Sequence, residues 1–418
     1  MEISEIYKIY KKTPRISTDT RNIQKNSIFF ALKGERFNGN KFAKKAIDNG
    51  CIFAIIDEKE HCTDDRFILV DNALETLQKL AKYHRNKLSI PIIGITGSNG
   101  KTTSKELIHS VLESEINCYS TKGNLNNHIG VPLSILEINN KHRIAIIEMG
   151  ANHEKEIQFL CSIAKPTHGT ITNIGTAHLE GFRNLQGVTN AKNELYQFIK
   201  KNNGYLFVNQ DDKLLVNLSN KIQRTYYGYA SNLDISIKSN TPFLNILWND
   251  IIINSNLIGE YQFYNISLAI CIGNYFSISS KKIQCGIESY IPKNNRSEIF
   301  KTETNVILMD AYNANPSSMK AMISSFSKQK YSNKLCILGD MLELGEHTIK
   351  EHTGIVNLVR ELNLETILIG KEFSKISKTA FTNRKEFEIF IKSHPIKNKT
   401  ILLKGSRRIS LEKLTKYL

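Results

Sequence analysis

No two cysteines in this sequence stand as C-x-x-C: the seven present, Cys51, Cys62, Cys118, Cys161, Cys271, Cys285 and Cys336, are scattered and odd in number. Such a set supports neither a disulfide framework nor a zinc site, so reduced and mostly buried thiols are expected. Any run of about 18 apolar residues is also missing, which excludes a membrane-spanning helix. The first residues, MEISEIYKIYKKTPRI, lack the apolar core of a signal peptide, and a cytoplasmic protein is expected. No internal repeat or low-complexity tract occurs. Lysine and arginine number 56 against 40 for aspartate and glutamate, a formal charge of +16, yet no dense Arg/Lys block with interleaved aromatics appears. The excess is lysine spread along the whole chain. It is read as composition, suited to polyanionic substrates such as nucleotides, and not as a nucleic-acid surface.

What is present is the composition of a soluble globular protein, 41% hydrophobic and 23% charged. At 418 residues the chain is long for one core, so several domains are expected. Residues 1–86 hold short strand-like runs (SIFFAL, CIFAIID, RFILV) and a closing helix in which Leu74, Leu77, Leu80 and Ala81 fall at helical spacing. Residues 87–293 alternate apolar strands (SIPIIGIT, RIAIIEMG, HGTITNIG) with helical segments, as in a parallel sheet buried on both faces. YIPKNNRSE reads as a linker. Residues 294–418 form a third α/β run, whose strands NVILMDAY, KLCILGDM, TILIG and TILLKGS end in polar or glycine-rich turns. The expectation is an α/β protein of three domains: a small α/β amino-terminal domain, a central domain with a parallel sheet and a phosphate-binding loop, and a carboxyl-terminal Rossmann-like domain. Turns at the carboxyl ends of parallel strands are where open sheets bind ligands.

The sharpest motif is GITGSNGKTTSKELI, residues 94–108. The Walker pattern G-x-x-x-x-G-K-[ST] requires glycine at position 95, where this chain has Ile95; its glycines are Gly94, Gly97 and Gly100. Strand, glycine-rich turn and helix nevertheless follow in the order that crowds backbone N–H groups around an anion, with the helix dipole added. The helix is expected to begin near Thr102 and to bury Leu107, Ile108, Val111 and Leu112. Lys101 is expected to reach the β- and γ-phosphates, and the Thr102 hydroxyl to ligate Mg²⁺. Glu148 ends a strand of the same domain and offers the hard oxygen that Mg²⁺ needs, although a lone strand-end Glu is often simply solvated. His178 also follows a strand and, alone, reads equally as a polar histidine.

Together these pieces resemble the Mur ligase family, the ATP-dependent amide-forming enzymes of peptidoglycan precursor synthesis. TGSNGKTT (96–103) is that family's form of the phosphate loop. GNLNNHIGVPLSIL, EMGANHEKEI, NIGTAHLEGF, DAYNANPSSM, GDMLELGE and KGSR, with STDTR and FFALKGERFNG near the start, spread the resemblance over all three regions. Within the family these motifs are similar to those of the member that joins D-alanyl-D-alanine to UDP-N-acetylmuramoyl-tripeptide, without nucleic acid or membrane, as a monomer. The reaction so implied runs through an acyl phosphate: the tripeptide carboxylate attacks the γ-phosphate of ATP, and the dipeptide amine then displaces phosphate.

The resemblance implies roles for individual residues. Thr96, Gly97, Ser98, Asn99, Gly100, Lys101, Thr102 and Thr103 form the loop around the ATP phosphates. Thr102 and Glu148 hold one Mg²⁺. His178 and Lys192 serve a second, with Lys192 carbamylated; an ammonium cannot ligate Mg²⁺, whereas a carbamate supplies two oxygens. Lys101, His178 and Lys192 are thereby the catalytic set. Asn265, Arg296 and Asp310 contact adenine, phosphate and ribose. Asp19, Arg21, Gly34, Arg36 and Asn38 fall in the region that holds the UDP-sugar, and Asn126 and Asn127 line the path of the muramoyl group. Tyr312, Asn313, Asn315 and Lys404 face the dipeptide, although Asn315, before Pro316, could equally be a turn residue. The chain departs from the family where Tyr261 and Gln262 replace the usual His and Asn, and where Arg183 stands in place of a common glycine. Two other readings are a different amide ligase of the superfamily, such as a sister Mur ligase or a folylpolyglutamate synthase, and a nucleic-acid-stimulated ATPase.

Overall fold

The computed structural model describes residues 1–35 and 37–418, so the expectation for Arg36 lies outside the described residues. Strands Ile16–Ser17, Ser27–Phe30, Cys51–Ile56 and Phe67–Leu69 pair in that spatial order, all parallel. The strand SIFF is buried at every position, as a strand covered on both faces must be. Helix Ala73–Arg85 starts where the Asn72 side chain accepts the Glu75 N–H, and it buries Leu77, Leu80 and Ala81. Its far end is bonded to the next unit. His84 Nε2 contacts the Ile138 carbonyl at 2.7 Å, and Arg85 donates to the carbonyls of Ala164 and Lys165 at 2.8 and 2.9 Å. Leu77 and Leu80 share one apolar cluster with Val131 and Ile135, so the two units meet across a continuous core.

The second sheet is wholly parallel. Its spatial order is Gln223–Tyr227, Tyr205–Asn209, His168–Ile171, Ile92–Thr96, Ile144–Glu148, Cys118–Ser120. Ile92–Thr96 and Ile144–Glu148 are buried throughout. The chain leaves Ile92–Thr96 toward one edge and later returns to its other side at His168–Ile171. The carboxyl ends of these neighbours therefore flank a topological switch point, the ordinary ligand crevice of an open sheet. Helix Lys101–Glu113 begins one residue before the expected Thr102 and buries Leu107, Ile108, Val111 and Leu112. That stripe packs on helices Phe263–Tyr275 and Ser280–Ser289.

A three-stranded antiparallel sheet, Ile235–Asn240, Leu244–Trp248 and Ile251–Asn254, was not anticipated above. Its middle strand LNILW buries Leu244, Ile246 and Trp248 alternately, the period of a half-covered strand. The expected linker is irregular up to Ser297. The third main sheet is ordered Glu298–Lys301, Val306–Asp310, Thr400–Lys404, Lys334–Gly339, Glu365–Ile369, parallel except for its first strand. Five cysteines are buried, Cys62 and Cys285 are exposed, and all seven are free. Among the described residues no helix is long and apolar enough to cross a membrane.

Candidate active site

The loop after Ile92–Thr96 is held by its neighbours. Gly97 has φ +143°, and a Cβ there would lie 2.0 Å from Thr172 Oγ1. Gly100 has φ +79°, and a Cβ there would lie 2.7 Å from Asn265 Oδ1. Only glycine meets both demands, positive φ and close approach. Thr96 is fully buried, its hydroxyl donating to the Met149 carbonyl at 2.9 Å. Ser98 Oγ donates to the Gly175 carbonyl at 2.9 Å, and Thr103 is buried in the helix's first turn. Asn173, which the sequence reading missed, accepts the Asn99 N–H at 3.0 Å and donates to the Asn99 carbonyl at 3.0 Å. It lies two residues beyond strand His168–Ile171, in the stretch TNIGTAH, and that place just past a strand's carboxyl end is the signal that could have found it.

Lys101 turns back over this loop and donates to the Gly97 carbonyl at 2.6 Å. Burial lowers its pKa, opposed by Glu148 and reinforced by Arg296. The Thr102 hydroxyl donates to Glu148 at 2.9 Å, and Asn126 Nδ2 donates to the other carboxylate oxygen at 2.8 Å. A hydroxyl beside a buried carboxylate is a hard-oxygen pair of the kind Mg²⁺ takes. Asn127 spends its side-chain oxygen on the N–H groups of Ile129 and Gly130, at 3.1 and 2.8 Å, at the start of the next helix.

Lys192 is 2% exposed. It sits on helix Leu185–Lys201, on the inward stripe with Val188, Leu195, Tyr196 and Ile199. The helical period of those apolar residues could have identified it as an inward-facing lysine. Its Nζ donates to the Ala151 carbonyl at 3.4 Å and lies 5.2 Å from the Phe182 ring centroid. Burial lowers its pKa to about 7, with Lys101 adding to the effect and Glu156 and Glu194 opposing it. A buried amine that is readily neutral is suited to accept CO₂, because the uncharged form is the nucleophile. His178 has φ +52°, and its Nδ1 abuts the Glu343 carboxylate of the third unit.

The third unit reaches over the loop. Asn315 caps helix Pro316–Lys328 through a capping box, and its Nδ2 also donates to Asn99 Oδ1 at 2.7 Å. The turn reading is thus realised as a helix cap, and the same side chain also bridges to the glycine-rich loop of the central unit. Thr176 N–H donates to Ser317 Oγ at 3.1 Å. The Arg296 guanidinium lies 3.7 Å from the Tyr312 ring centroid, a cation–π stack. Asp310 and Lys404, expected on different ligands, pair with each other at 2.5 Å, with Lys404 buried. Asn313 uses its oxygen on the Ala314 N–H at 2.9 Å.

The two departures from the family pattern have structural counterparts. Gln262 accepts from Asn265 Nδ2 at 2.5 Å, while Ser104 donates to Asn265 Oδ1 at 2.9 Å. Tyr261 turns toward the third unit, its hydroxyl 3.2 Å from Ser297 Oγ and donating to Met322 Sδ at 3.2 Å. Arg183 has φ +67°, the left-handed conformation in which glycine costs least.

One cleft of about 1330 Å³ is lined by Ser98–Thr103, Asn126, Asn127, Glu148, His178, Asn265, Arg296, Asp310, Tyr312, Asn313, Asn315 and Lys404. It continues along Asn209, Asp211 and Asp212, a polar run after an apolar strand that the sequence reading also missed. Thr96, Gly97 and Lys192 lie behind this lining. Asp19, Arg21, Gly34 and Asn38 do not line it. Asp19 accepts from the Arg21 guanidinium at 2.6 Å, and Asn38 donates to Glu58 at 2.8 Å within the amino-terminal unit.

Comparison with known proteins places three family models along the chain. The Mur ligase family catalytic domain matches residues 14–93, the Mur ligase middle domain 95–273, and the glutamate ligase domain of Mur ligases 295–407. The UDP-N-acetylmuramoyl-tripeptide–D-alanyl-D-alanine ligase of Bacillus subtilis is 33% identical, over 96% of this chain and 92% of its own length. The crystal structure of MurF from Acinetobacter baumannii matches with a TM-score of 0.86 at 30% identity, covering 96% of this chain and 92% of that one. MurF ligase from Thermotoga maritima, solved in complex with ADP, matches with a TM-score of 0.84 at 26% identity, covering 97% of both chains.

Proposed function

This chain belongs to the Mur ligase family, and from that premise we propose that it joins D-alanyl-D-alanine to UDP-N-acetylmuramoyl-tripeptide, driven by conversion of ATP to ADP and phosphate. The observation that carries the reading is the single cleft in which the phosphate loop, Glu148 and His178 face Arg296, Asp310 and Tyr312 of the third unit. The relatives' names supply the two substrates, and the ADP complex of the Thermotoga protein supports binding of an adenine nucleotide.

The backbone N–H groups of 97–103 and Lys101 bind the phosphates, Lys101 exchanging its loop carbonyls for phosphate oxygens. Asn265 faces the adenine, and Arg296 and Asp310 the phosphate and ribose. Thr102 and Glu148 would hold one Mg²⁺; His178 and a carbamylated Lys192 would hold a second. Bound there, the ions would neutralise charge on the transferring phosphoryl oxygens. The tripeptide carboxylate attacks the γ-phosphorus, the bond to ADP breaks, and an acyl phosphate forms. The dipeptide amine then attacks the acyl carbon and expels phosphate. Positioning and electrostatics carry both steps, with Lys101 and Arg296 stabilising the equatorial oxygens. Asp19, Arg21, Gly34, Arg36 and Asn38 take the UDP-sugar on a unit spanning 1–86. The ATP domain spans 87–293 and the closing domain 294–418. Asn126 and Asn127 line the muramoyl path, and Tyr312, Asn313, Asn315 and Lys404 border the dipeptide. The enzyme works as a cytoplasmic monomer, independent of nucleic acid.

The test is phosphate release from ATP and Mg²⁺ with each substrate omitted in turn. Turnover that requires both and yields the UDP-linked pentapeptide supports the reading. Turnover with a single amino acid in place of the dipeptide keeps the family and removes the substrate. Stimulation by nucleic acid alone sinks the ligase mechanism.

A further inference from the structure

We infer that Glu343 is the carboxylate that orients His178 as a metal ligand, so that closure of the third unit over the phosphate loop completes the second metal site. The inference rests on the reading above that His178 holds Mg²⁺. His178 lines the nucleotide cleft, whereas Glu343 lines a separate surface pocket beside it. Nδ1 lies against the Glu343 carboxylate as an ion-pair contact, without the alignment of a formed hydrogen bond, which leaves Nε2 as the ring nitrogen available to a metal. A histidine that ligates through one nitrogen generally gives its other N–H to a carboxylate or carbonyl, which fixes the tautomer and raises ligand basicity. Here that group arrives from a different domain.

The two residues are held to this task from both sides. His178 has φ +52° and Glu343 φ +63°. Non-glycine residues take that conformation at a cost and keep it where the surroundings enforce it. On the central side, Glu180 N–H donates to the Glu343 carbonyl at 3.1 Å, and His347 Nε2 contacts the Arg183 carbonyl at 3.2 Å. Behind the loop, Leu342 N–H donates to Ser406 Oγ at 3.0 Å and Met341 N–H to His352 Nε2 at 3.1 Å. His352 is buried beside Asp340, whose carboxylate accepts the N–H groups of Glu372 and Phe373 at 2.9 and 3.0 Å. A carboxylate on an unanchored surface loop would not hold an imidazole in one orientation; this one is fixed by its own domain and by the domain it touches. Glu343 is accordingly a positioning residue.

The test counts Mn²⁺, a paramagnetic substitute for Mg²⁺, bound to the full chain with ADP, by loss of the free-ion paramagnetic resonance signal. The wild type is expected to bind two ions. Glu343→Gln, which keeps the side-chain shape, is expected to bind one of them about 10- to 100-fold more weakly, with thermal unfolding unchanged. Glu346→Gln, on the exposed neighbour, is expected to bind both ions as the wild type does. In the metal-free chain, ¹⁵N-histidine spectra should show His178 as the Nδ1–H tautomer, and as a mixture in Glu343→Ala. A Glu343→Gln chain that binds both ions at wild-type affinity overturns the inference and leaves the ligase reading intact. A wild-type chain that binds one ion overturns the assignment of His178 to metal, and the inference with it.

Discussion

Lys192 and Lys101 differ from most lysines of this basic chain because each lies at or behind the cleft with its pKa lowered by burial. The proposed carbamate on Lys192 forms only on the neutral amine, which prevails above the lowered value of about 7. At fixed dissolved CO₂, turnover should therefore fall as pH drops through 7, where the amine is protonated and no carbamate forms. Lys192→Ala should be nearly inactive at every pH and recover part of its rate with added short carboxylic acids. Near-normal turnover of that variant would remove Lys192 from the site. Lys101→Met should lower kcat by about 10²- to 10³-fold, the size of losing one electrostatic donor to the reacting oxygens, as read by steady-state kinetics. The glycine-rich loop between strand and helix and the strand-end place of Glu148 were legible in the sequence because local chain order builds them. The Lys404–Asp310 pair was not, since two strands distant in sequence had to become neighbours first.

At the scale of elements, two helices position the chemistry. Helix Lys101–Glu113 fixes the loop by burying Ile108 completely. Ile108→Ala should cost about 2–5 kcal/mol, seen as a lower denaturant midpoint. Helix Pro316–Lys328 carries Asn315 at its start. Asn315→Ala should cost about 1 kcal/mol for the lost cap and should also raise the KM for ATP, because the same side chain holds Asn99. A stability loss with unchanged KM would reduce Asn315 to a helix cap. The strands of the parallel sheets were readable as apolar runs, and the loop helix as a 3.6-residue stripe. The antiparallel sheet around Trp248 escaped because its alternating strand lies in a polar, asparagine-rich stretch where no single signal dominates.

At the scale of the whole molecule, the cleft is built by how the third unit sits on the second. A Cβ at Gly175 would lie 2.8 Å from Ser317 Oγ across that boundary. Gly175→Val should leave both units folded while wedging them apart, and should lower kcat/KM by up to about 100-fold, the effect of misplacing reacting groups by an ångström. Unfolding monitored by circular dichroism should be near wild type. Unchanged kinetics would mean that this contact does not set the catalytic geometry.

Local order along the chain determined the family, the glycine-rich loop, the strand-end Glu148 and the three α/β runs, because each depends on residues close together in sequence. Tertiary structure decided what those residues meet. It seated Lys192 in an apolar wall, paired Asp310 with Lys404, and set Glu343 against His178. Those contacts arise between segments that only packing brings together, and burial, which shifts an amine's pKa or aligns an imidazole, is a property of the assembled molecule.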